Sequence, residues 1–291
     1  MLKNAFYFCT GLGFLTLAMI KHRIAGYRTP KPVTAEGWDG WIDHDLKIVD
    51  RWLDYAREYL GPDFHITGKD VVELGPGSDM GNGLYLVARG ADSYSAVDAI
   101  DNVSRVPPEF YRRMAGRLAA PPIGLQVDPA IASDPQRVRL YHAPSFDVAD
   151  AVGGRTFDLV VSNAAFEHFD DFDAVLRDVA QILRPGGALI AGIDLITHSR
   201  WIRRKDPNNI YRYPDWLYRL FYFQGIPQRV RPREYRAAAK RHGLVDLRVE
   251  PLRQDTTQTT SGLARRFRGP DMQPELFGIM LMARKPQDGD A

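Results

Sequence analysis

A doubly wound α/β fold, with a mainly parallel sheet covered by helices on both faces, is what these 291 residues predict. From residue 69 onward, short apolar runs alternate with amphipathic stretches. The runs are apolar throughout rather than at every second position, as in strands buried on both faces. A glycine-rich turn, ELGPGSDMGNG (73–83), follows the first run, at the place where open α/β sheets bind ligands.

Residues 5–20, AFYFCTGLGFLTLAMI, carry no charge and precede Lys21, His22, Arg23 and Arg28. The stretch falls short of the ~20 apolar residues that span a bilayer, and Gly11 and Gly13 weaken it as a helix. No small-residue cleavage site follows, which argues against a cleaved signal peptide. Two readings stand: a helix packed on the domain's own surface, or a monotopic anchor with the basic residues at the headgroups. Residues 1–29 are therefore set apart as an apolar N-terminal helix. Residues 30–68 hold a linker, PKPVTAEG (30–37), and a helix with Ile42, Leu46, Val49, Leu53, Ala56 and Leu60 on one face, ended by Gly61 and Pro62.

The expected strands are DVVEL (70–74), SYSAVD (93–98), VRLYH (138–142), FDLVVSN (157–163), ALIAGID (188–194), LVDLRVE (244–250) and ELFGIMLMARK (275–285). Between them, GNGLYLVARG (81–90) reads as a helix closed by Gly90, and PPEFYRRMAGRLAA (107–120) as one with proline at its start. DFDAVLRDVAQILRPGG (171–187) reads as an amphipathic helix stopped by Pro185 and two glycines, and REYRAAAKRHG (233–243) as the last helix. Residues 69–291 thus form one domain, with an insertion at 195–233 after the fifth strand.

At 45% hydrophobic and 25% charged residues, the chain has an ordinary globular composition. A net charge of +2 argues against a general nucleic-acid binder. One cysteine, Cys9, excludes an internal disulfide and a cysteine-based zinc site, and suits a reducing, cytoplasmic compartment.

The glycine turn departs from the dinucleotide fingerprint G-x-G-x-x-G. Gly75 and Gly77 fit, but the third place is Met80, and Pro76 removes a backbone N–H that a pyrophosphate would use. No G-K-[S/T] follows, so a P-loop is excluded. The turn therefore suits a ligand without phosphate. Asp98 ends the next strand 21 residues after Gly77, where a carboxylate accepts hydrogen bonds from both hydroxyls of a ribose. Glu73 stands at the first strand's tip, placed for a ligand's ammonium. A nucleoside with a cationic amino-acid tail and no phosphate is S-adenosylmethionine.

VVELGPGS (71–78), the strand ending in Asp98, FDLVVSNAAFEH (157–168) and ILRPGGALI (182–190) resemble, in order and spacing, the successive motifs of class I S-adenosylmethionine-dependent methyltransferases. The resemblance covers roughly residues 69–194. It implies a Rossmann-like methyltransferase sheet with S-adenosylmethionine as cofactor, and a helical lid over the acceptor pocket at 195–233. It also implies that Glu73, Gly75 and Gly77 line the methionine part, that Asp98 binds the ribose, and that Ser145 and Phe146 flank the adenine. Asp147 is the alternative there, because the family often has an acid in this region. Asn163 would face the methionine or the substrate.

The acceptor is open to several readings. NAAF (163–166) resembles the N-P-P-Y/F signature of enzymes that methylate planar amines, but lacks both prolines, which argues against base or glutamine methylation. His168 suits a general base for a sugar or phenol hydroxyl, with His198 as rival and Asp194 able to orient either. Glu167, Asp170, Asp171 and Asp173 offer ligands for Mg²⁺, although an acid-rich helix start explains them more simply. Residues 200–233 hold eight arginines and Lys205 against Asp206 and Asp215, a net +7, among eight aromatics from Trp201 to Phe223. Aromatics that stack on sugar faces, with arginines for carboxylate or phosphate, suit an anionic saccharide or a lipid-linked sugar phosphate, and the expected acceptor is a hydroxyl of a saccharide, glycolipid or other small molecule. An RNA acceptor is the alternative, ranked lower because the pI is about 8.6 and no RNA-binding module is attached. A non-catalytic S-adenosylmethionine-binding protein is a further one. The apolar N-terminus and the basic insertion together lead to the expectation of work at the inner face of the membrane.

Overall fold

A computed structural model describes residues 2–26, 34, 36–256, 261–287 and 289. Of the expected linker at 30–37, only 34, 36 and 37 fall among them, and Arg28 lies outside them. The helices are α1 (Leu2–Ala25), α2 (Trp38–Leu60), α3 (Gly81–Ala88), α4 (Pro108–Ala119), α5 (Val148–Ala151), α6 (Phe172–Ile182), α7 (Asp215–Arg219) and α8 (Pro232–Arg241). The strands are β1 (Asp70–Leu74), β2 (Ser93–Asp98), β3 (Val138–His142), β4 (Phe157–Asn163), β5 (Leu183–Asp194), β6 (Val245–Gln254) and β7 (Leu276–Arg284).

The seven strands form one sheet in the order β3-β2-β1-β4-β5-β7-β6. β1 to β5 are parallel, whereas β7 runs antiparallel to both β5 and β6. The sheet is therefore not parallel to its end. A parallel partner needs a crossover, usually a helix, and among the described residues between β6 and β7 there are only short 3-10 turns. Successive residues of β1 point to opposite faces, and both faces are covered. Val71 packs with Trp52 of α2, Leu84 of α3 and Phe110 of α4. Val72 packs with Val148 of α5, Leu176 of α6 and Tyr235 of α8. Doubly wound α/β is the observed architecture.

Two elements depart from expectation. Pro185, Gly186 and Gly187 do not stop α6, which ends at Ile182; they lie inside β5. The β4–β5 register jumps there, from Phe157 opposite Leu183 to Leu159 opposite Ala188, so the extra residues bulge out of the ladder. The N-terminal helix runs from Leu2 to Ala25, longer than 5–20, and straight through Gly11 and Gly13. By length and composition it is the one helix among the described residues able to cross a membrane, and Gly11 is its one fully buried residue.

The reason Gly11 is tolerated lies in packing. Phe8, Leu12 and Leu15 of α1 join Ile210, Tyr211, Tyr213, Tyr218 and Phe267 in a third core. Asn209 donates to the Tyr7 carbonyl at 2.9 Å and the Tyr213 hydroxyl to that of Phe8 at 3.2 Å. A Cβ at Gly11 would lie 2.0 Å from Asn209 Oδ1. Several arginines of the insertion are consumed in the same unit. Arg212 pairs with Asp206 at 2.6 Å, both nearly fully buried, and Arg231 donates to the carbonyls of Met272 (2.8 Å) and Leu276 (3.1 Å).

Candidate active site

Strand order reverses at β1, whose neighbours are β2 and β4, and ligands of such sheets bind outside the carboxyl ends at that point. A cavity of about 650 Å³ opens there, within the range of ligand pockets. Its walls come from the loops after β1 to β4 and from α2, which Trp52 Nε1 ties to β4 by donating to the Ser162 carbonyl at 3.1 Å.

Gly75 and Gly77 have φ of +73° and +84°, a region that side chains with a Cβ rarely adopt. A Cβ at Gly75 would lie 2.6 Å from the Cβ of Ala165, so the turn after β1 sits against the loop after β4. The turn also holds Asp98. Gly77 N–H donates to one carboxylate oxygen at 3.1 Å and Ile100 N–H to the other at 2.9 Å. Burial raises the Asp98 carboxyl, while the N–H bonds of Ile100 and Gly77 oppose that shift. A carboxylate has about four lone-pair sites, so after these bonds it can still accept from a hydroxyl.

Glu73 lines the same cavity but is 2% exposed and engaged. Asn82 Nδ2 lies 3.1 Å from both its oxygens, and the Tyr94 hydroxyl donates to it as well. Burial pushes its carboxyl up to about 8. Ser145, Phe146, Asp147 and Asn163 also line the cavity. Phe146, at φ +53°, stacks on Phe169 with centroids 4.3 Å apart, and Asp147 accepts from Asp150 N–H at 3.4 Å to cap α5.

His168 faces the cavity, and its Nδ1 lies 2.7 Å from the Gly225 carbonyl. A carbonyl only accepts, so Nδ1 carries the proton and Nε2 the lone pair of the neutral ring. Burial holds its pKa below the ordinary value. His198 lies with its ring centroid 4.8 Å from that of His168, but neither it nor Asp194 lines the cavity. Burial, with the charges of His168 and Arg203 adding to it, pushes His198 down to about 3. Asp194 accepts from Arg203 and, at 2.9 Å, from Arg253, with His198 Nε2 at 3.7 Å.

The acids after β4 have separate partners. Asp170 accepts from the Tyr222 hydroxyl at 2.7 Å, Asp171 caps α6 through Ala174 N–H at 3.0 Å, and Asp173 pairs with Arg241 and His242. Glu167 is buried beneath them, its carboxyl pushed up to about 8 by desolvation. Glu167, His168 and His198 each present a potential ligand atom, all within 4.8 Å of one another.

Of the insertion at 195–233, Gln224 and Gly225 line the cavity, while Tyr211, Tyr213 and Tyr218 belong to the third core. Missing from the sequence-based candidates are Trp41, His44 and Asp45 of α2 and Asp79 of the glycine turn, all on the cavity wall. Asp45 carried a signal: it lies one turn after Ile42 and next to Leu46, on the face that the periodicity assigns to the core.

The model of a methyltransferase-domain family matches residues 44–249. No curated sequence matches the chain. A protein from Nostoc punctiforme PCC 73102 described as a candidate O-methyltransferase shares 17% identity over 96% of this chain and 69% of its own, with a TM-score of 0.50. An S-adenosylmethionine-dependent methyltransferase from Mesorhizobium loti shares 17% over 86% of this chain and 100% of its own, with a TM-score of 0.46. Phosphoethanolamine N-methyltransferase 2 of Haemonchus contortus, solved with S-adenosyl-L-methionine, shares 15% over 82% and 53%, with a TM-score of 0.47. At 17% identity the Nostoc protein is a likeness of fold.

Proposed function

Because the chain belongs to the methyltransferase-domain family and is an S-adenosylmethionine-dependent methyltransferase, we propose that it methylates a hydroxyl of a saccharide or glycolipid, with His168 as general base. The cavity suits the donor: a turn with no room for a Cβ at Gly75, without phosphate-binding features, faces a carboxylate held by backbone N–H groups. Gly75 and Gly77 would take the methionine part, Asp98 the ribose, and the Ser145–Phe146 segment the adenine. When bound, S-adenosylmethionine supplies a methyl group on a sulfonium, an already activated leaving group. What is left to the protein is to align the acceptor, exclude water and take up the hydroxyl's proton.

The observation that carries the reading is His168. Its Nδ1–H is fixed on the Gly225 carbonyl, its basic nitrogen is Nε2, and its lowered pKa keeps the ring neutral near pH 7. Trp41, Asp170 and Gln224, which also line the cavity, supply an aromatic face and polar groups for a polyhydroxylated acceptor. Methyl transfer by full-length protein to a panel of saccharides, glycolipids and RNA, read by mass spectrometry, is expected to yield an O-methyl sugar. Methylation of RNA alone would overturn the acceptor, and binding without turnover on any acceptor would favour a non-catalytic role.

The same proposal sets the reaction at the inner face of the membrane. In support, α1 exposes Leu2, Phe6, Leu17, Ile20 and Ile24 beside exposed Lys21 and Arg23, and Trp201 and Trp216 of the insertion are 82% and 66% exposed. Each basic residue close to an anionic surface adds about 1 kcal/mol of attraction. Full-length protein is expected to float with anionic liposomes, and a chain starting at Pro30 to stay in solution. Equal partition of the two would remove the membrane from the proposal.

A further inference from the structure

Three carboxyl groups stand together on the methionine side of the cavity: Glu73 of β1, Asp79 of the glycine turn and Asp45 of α2. They are 2%, 7% and 5% exposed. Glu73 has its oxygens occupied by Asn82 and Tyr94. The other two are differently placed. Asp79 accepts Gly81 N–H at 2.7 Å at the start of α3, and among the described residues Asp45 Oδ2 meets no N–H or O–H donor, only the Asp79 carboxyl. Both converge over Gly81, where a Cβ would lie 2.2 Å from Asp45 Oδ2 and 2.9 Å from Asp79 Oδ1.

Two buried carboxylates in contact cannot both stay ionised unless a cation joins them. The other groups that face the pair supply none. Glu73 is acidic, and the hydroxyls of Tyr94 and Tyr111 have their pKa values raised by burial and by the acids themselves. His44, one residue before Asp45, is held below its ordinary pKa by burial, with Arg51 and Lys47 adding to the effect, and so stays neutral. Burial and mutual repulsion raise the Asp45 carboxyl well above the usual range, and burial raises that of Asp79. Without a cation between them, the two carboxyls therefore share a proton.

We propose that Asp45 and Asp79 form the seat for the ammonium group of the donor's amino-acid portion, and that this cation replaces the proton the two carboxyls share. The assignment rests on the S-adenosylmethionine reading above and moves the ammonium contact from Glu73 to a residue of α2. Charge balances: the ammonium donates to two carboxylates, and one proton leaves to solvent. Donor binding then tightens as pH rises and weakens as it falls, because release of a proton is favoured at higher pH. It also makes α2, an element outside the strand-and-turn motifs, part of the binding site.

Calorimetry on the full chain tests this with two ligands. S-adenosylhomocysteine carries the amino-acid portion, and 5′-methylthioadenosine lacks it. Wild type is expected to release about one proton with the first and none with the second, read from the dependence of the observed enthalpy on the buffer's ionisation enthalpy. Asp45→Asn is expected to weaken S-adenosylhomocysteine by ~10-fold or more, abolish proton release, and leave 5′-methylthioadenosine unchanged, as for a lost charged hydrogen bond. Unchanged affinity in Asp45→Asn and Asp79→Asn, equal loss for both ligands, or a selective loss confined to Glu73→Gln would each overturn the assignment. The wild-type buffer comparison stands even where a variant fails to fold. If wild type binds neither ligand, the S-adenosylmethionine reading itself falls.

Discussion

His168 and His198 lie side by side, yet their surroundings separate them. His168 faces the cavity with its Nδ1 proton fixed, whereas His198 is off the wall and pushed down to about 3. His168→Ala is therefore expected to lower turnover by ~10²-fold with donor affinity intact, as for a lost general base, and His198→Ala to cost far less. The reverse pattern would move the base to His198. Since burial depresses the His168 pKa, the neutral ring persists as pH falls through its ordinary value of 6.5, and turnover should decline only further to the acid side. At this scale the sequence was legible where chemistry and backbone coincide. Gly75, Gly77 and Asp98 are local: the turn dictates the glycines, and Asp98 ends its strand. Asp45 was not read as a cavity residue because its neighbour Asp79 is distant in sequence and meets it only through the packing of α2 on α3.

Between elements, close approach decides. α3 lies so near β2 that a Cβ at Gly83 would fall 2.3 Å from the ring of Tyr94, a side chain 1% exposed whose hydroxyl is tied to Glu73. Alanine in place of glycine favours a helix by ~1 kcal/mol, but forcing a methyl into a filled core costs ~1–3 kcal/mol. The clash wins because Tyr94 cannot retreat. Gly83→Ala is expected to lower the denaturant midpoint, and a raised midpoint would show that α3 can lift off β2. Strands β1 to β4 were legible residue for residue, since each carries β-branched or aromatic residues and ends at a polar residue or, for β1, at the glycine turn. The Arg184-Pro185-Gly186-Gly187 segment was not, because a bulge inside a strand and a helix stop share the same residues. Gly11 misled in the same way: it reads as a weak helix position but is the contact point of α1 with Asn209 and Tyr213.

Across the molecule, two buried glutamates contribute to the pH response. Glu73 and Glu167 titrate at about 8 in the fold, against an ordinary 4.5. The folded state thus binds more protons than the unfolded one in that window. Their contribution is fully present below about pH 4.5 and is lost as pH rises through about 8. Thermal melts of wild type against Glu73→Gln/Glu167→Gln, in which the remaining groups cancel, should show the variant gaining relative stability from about pH 5 to about pH 8. A constant difference would mean that both groups titrate normally. Sheet order, too, belongs to this scale. Seven strands could be counted in the sequence, but the direction of β7 depends on what its connection allows, which no strand reports about itself.

That direction governs when the sheet can be completed as the chain emerges from the ribosome. β6 pairs only with β7, and β7 lies between it and β5. Until Leu276–Arg284 is available, the β5 edge is bare and β6 has nowhere to add, however long the earlier residues have been out. The nascent protein must hold five strands in waiting and then gain two together, with pairs as far apart in sequence as Ala188 and Arg284. Such distant pairing is slow and leaves an adhesive edge meanwhile. A chain truncated before Leu276 is expected to lose β6 along with β7 and to aggregate during synthesis, whereas one ending after Gln287 should fold. A soluble, well-folded product from the shorter chain would show that β5 tolerates a bare edge.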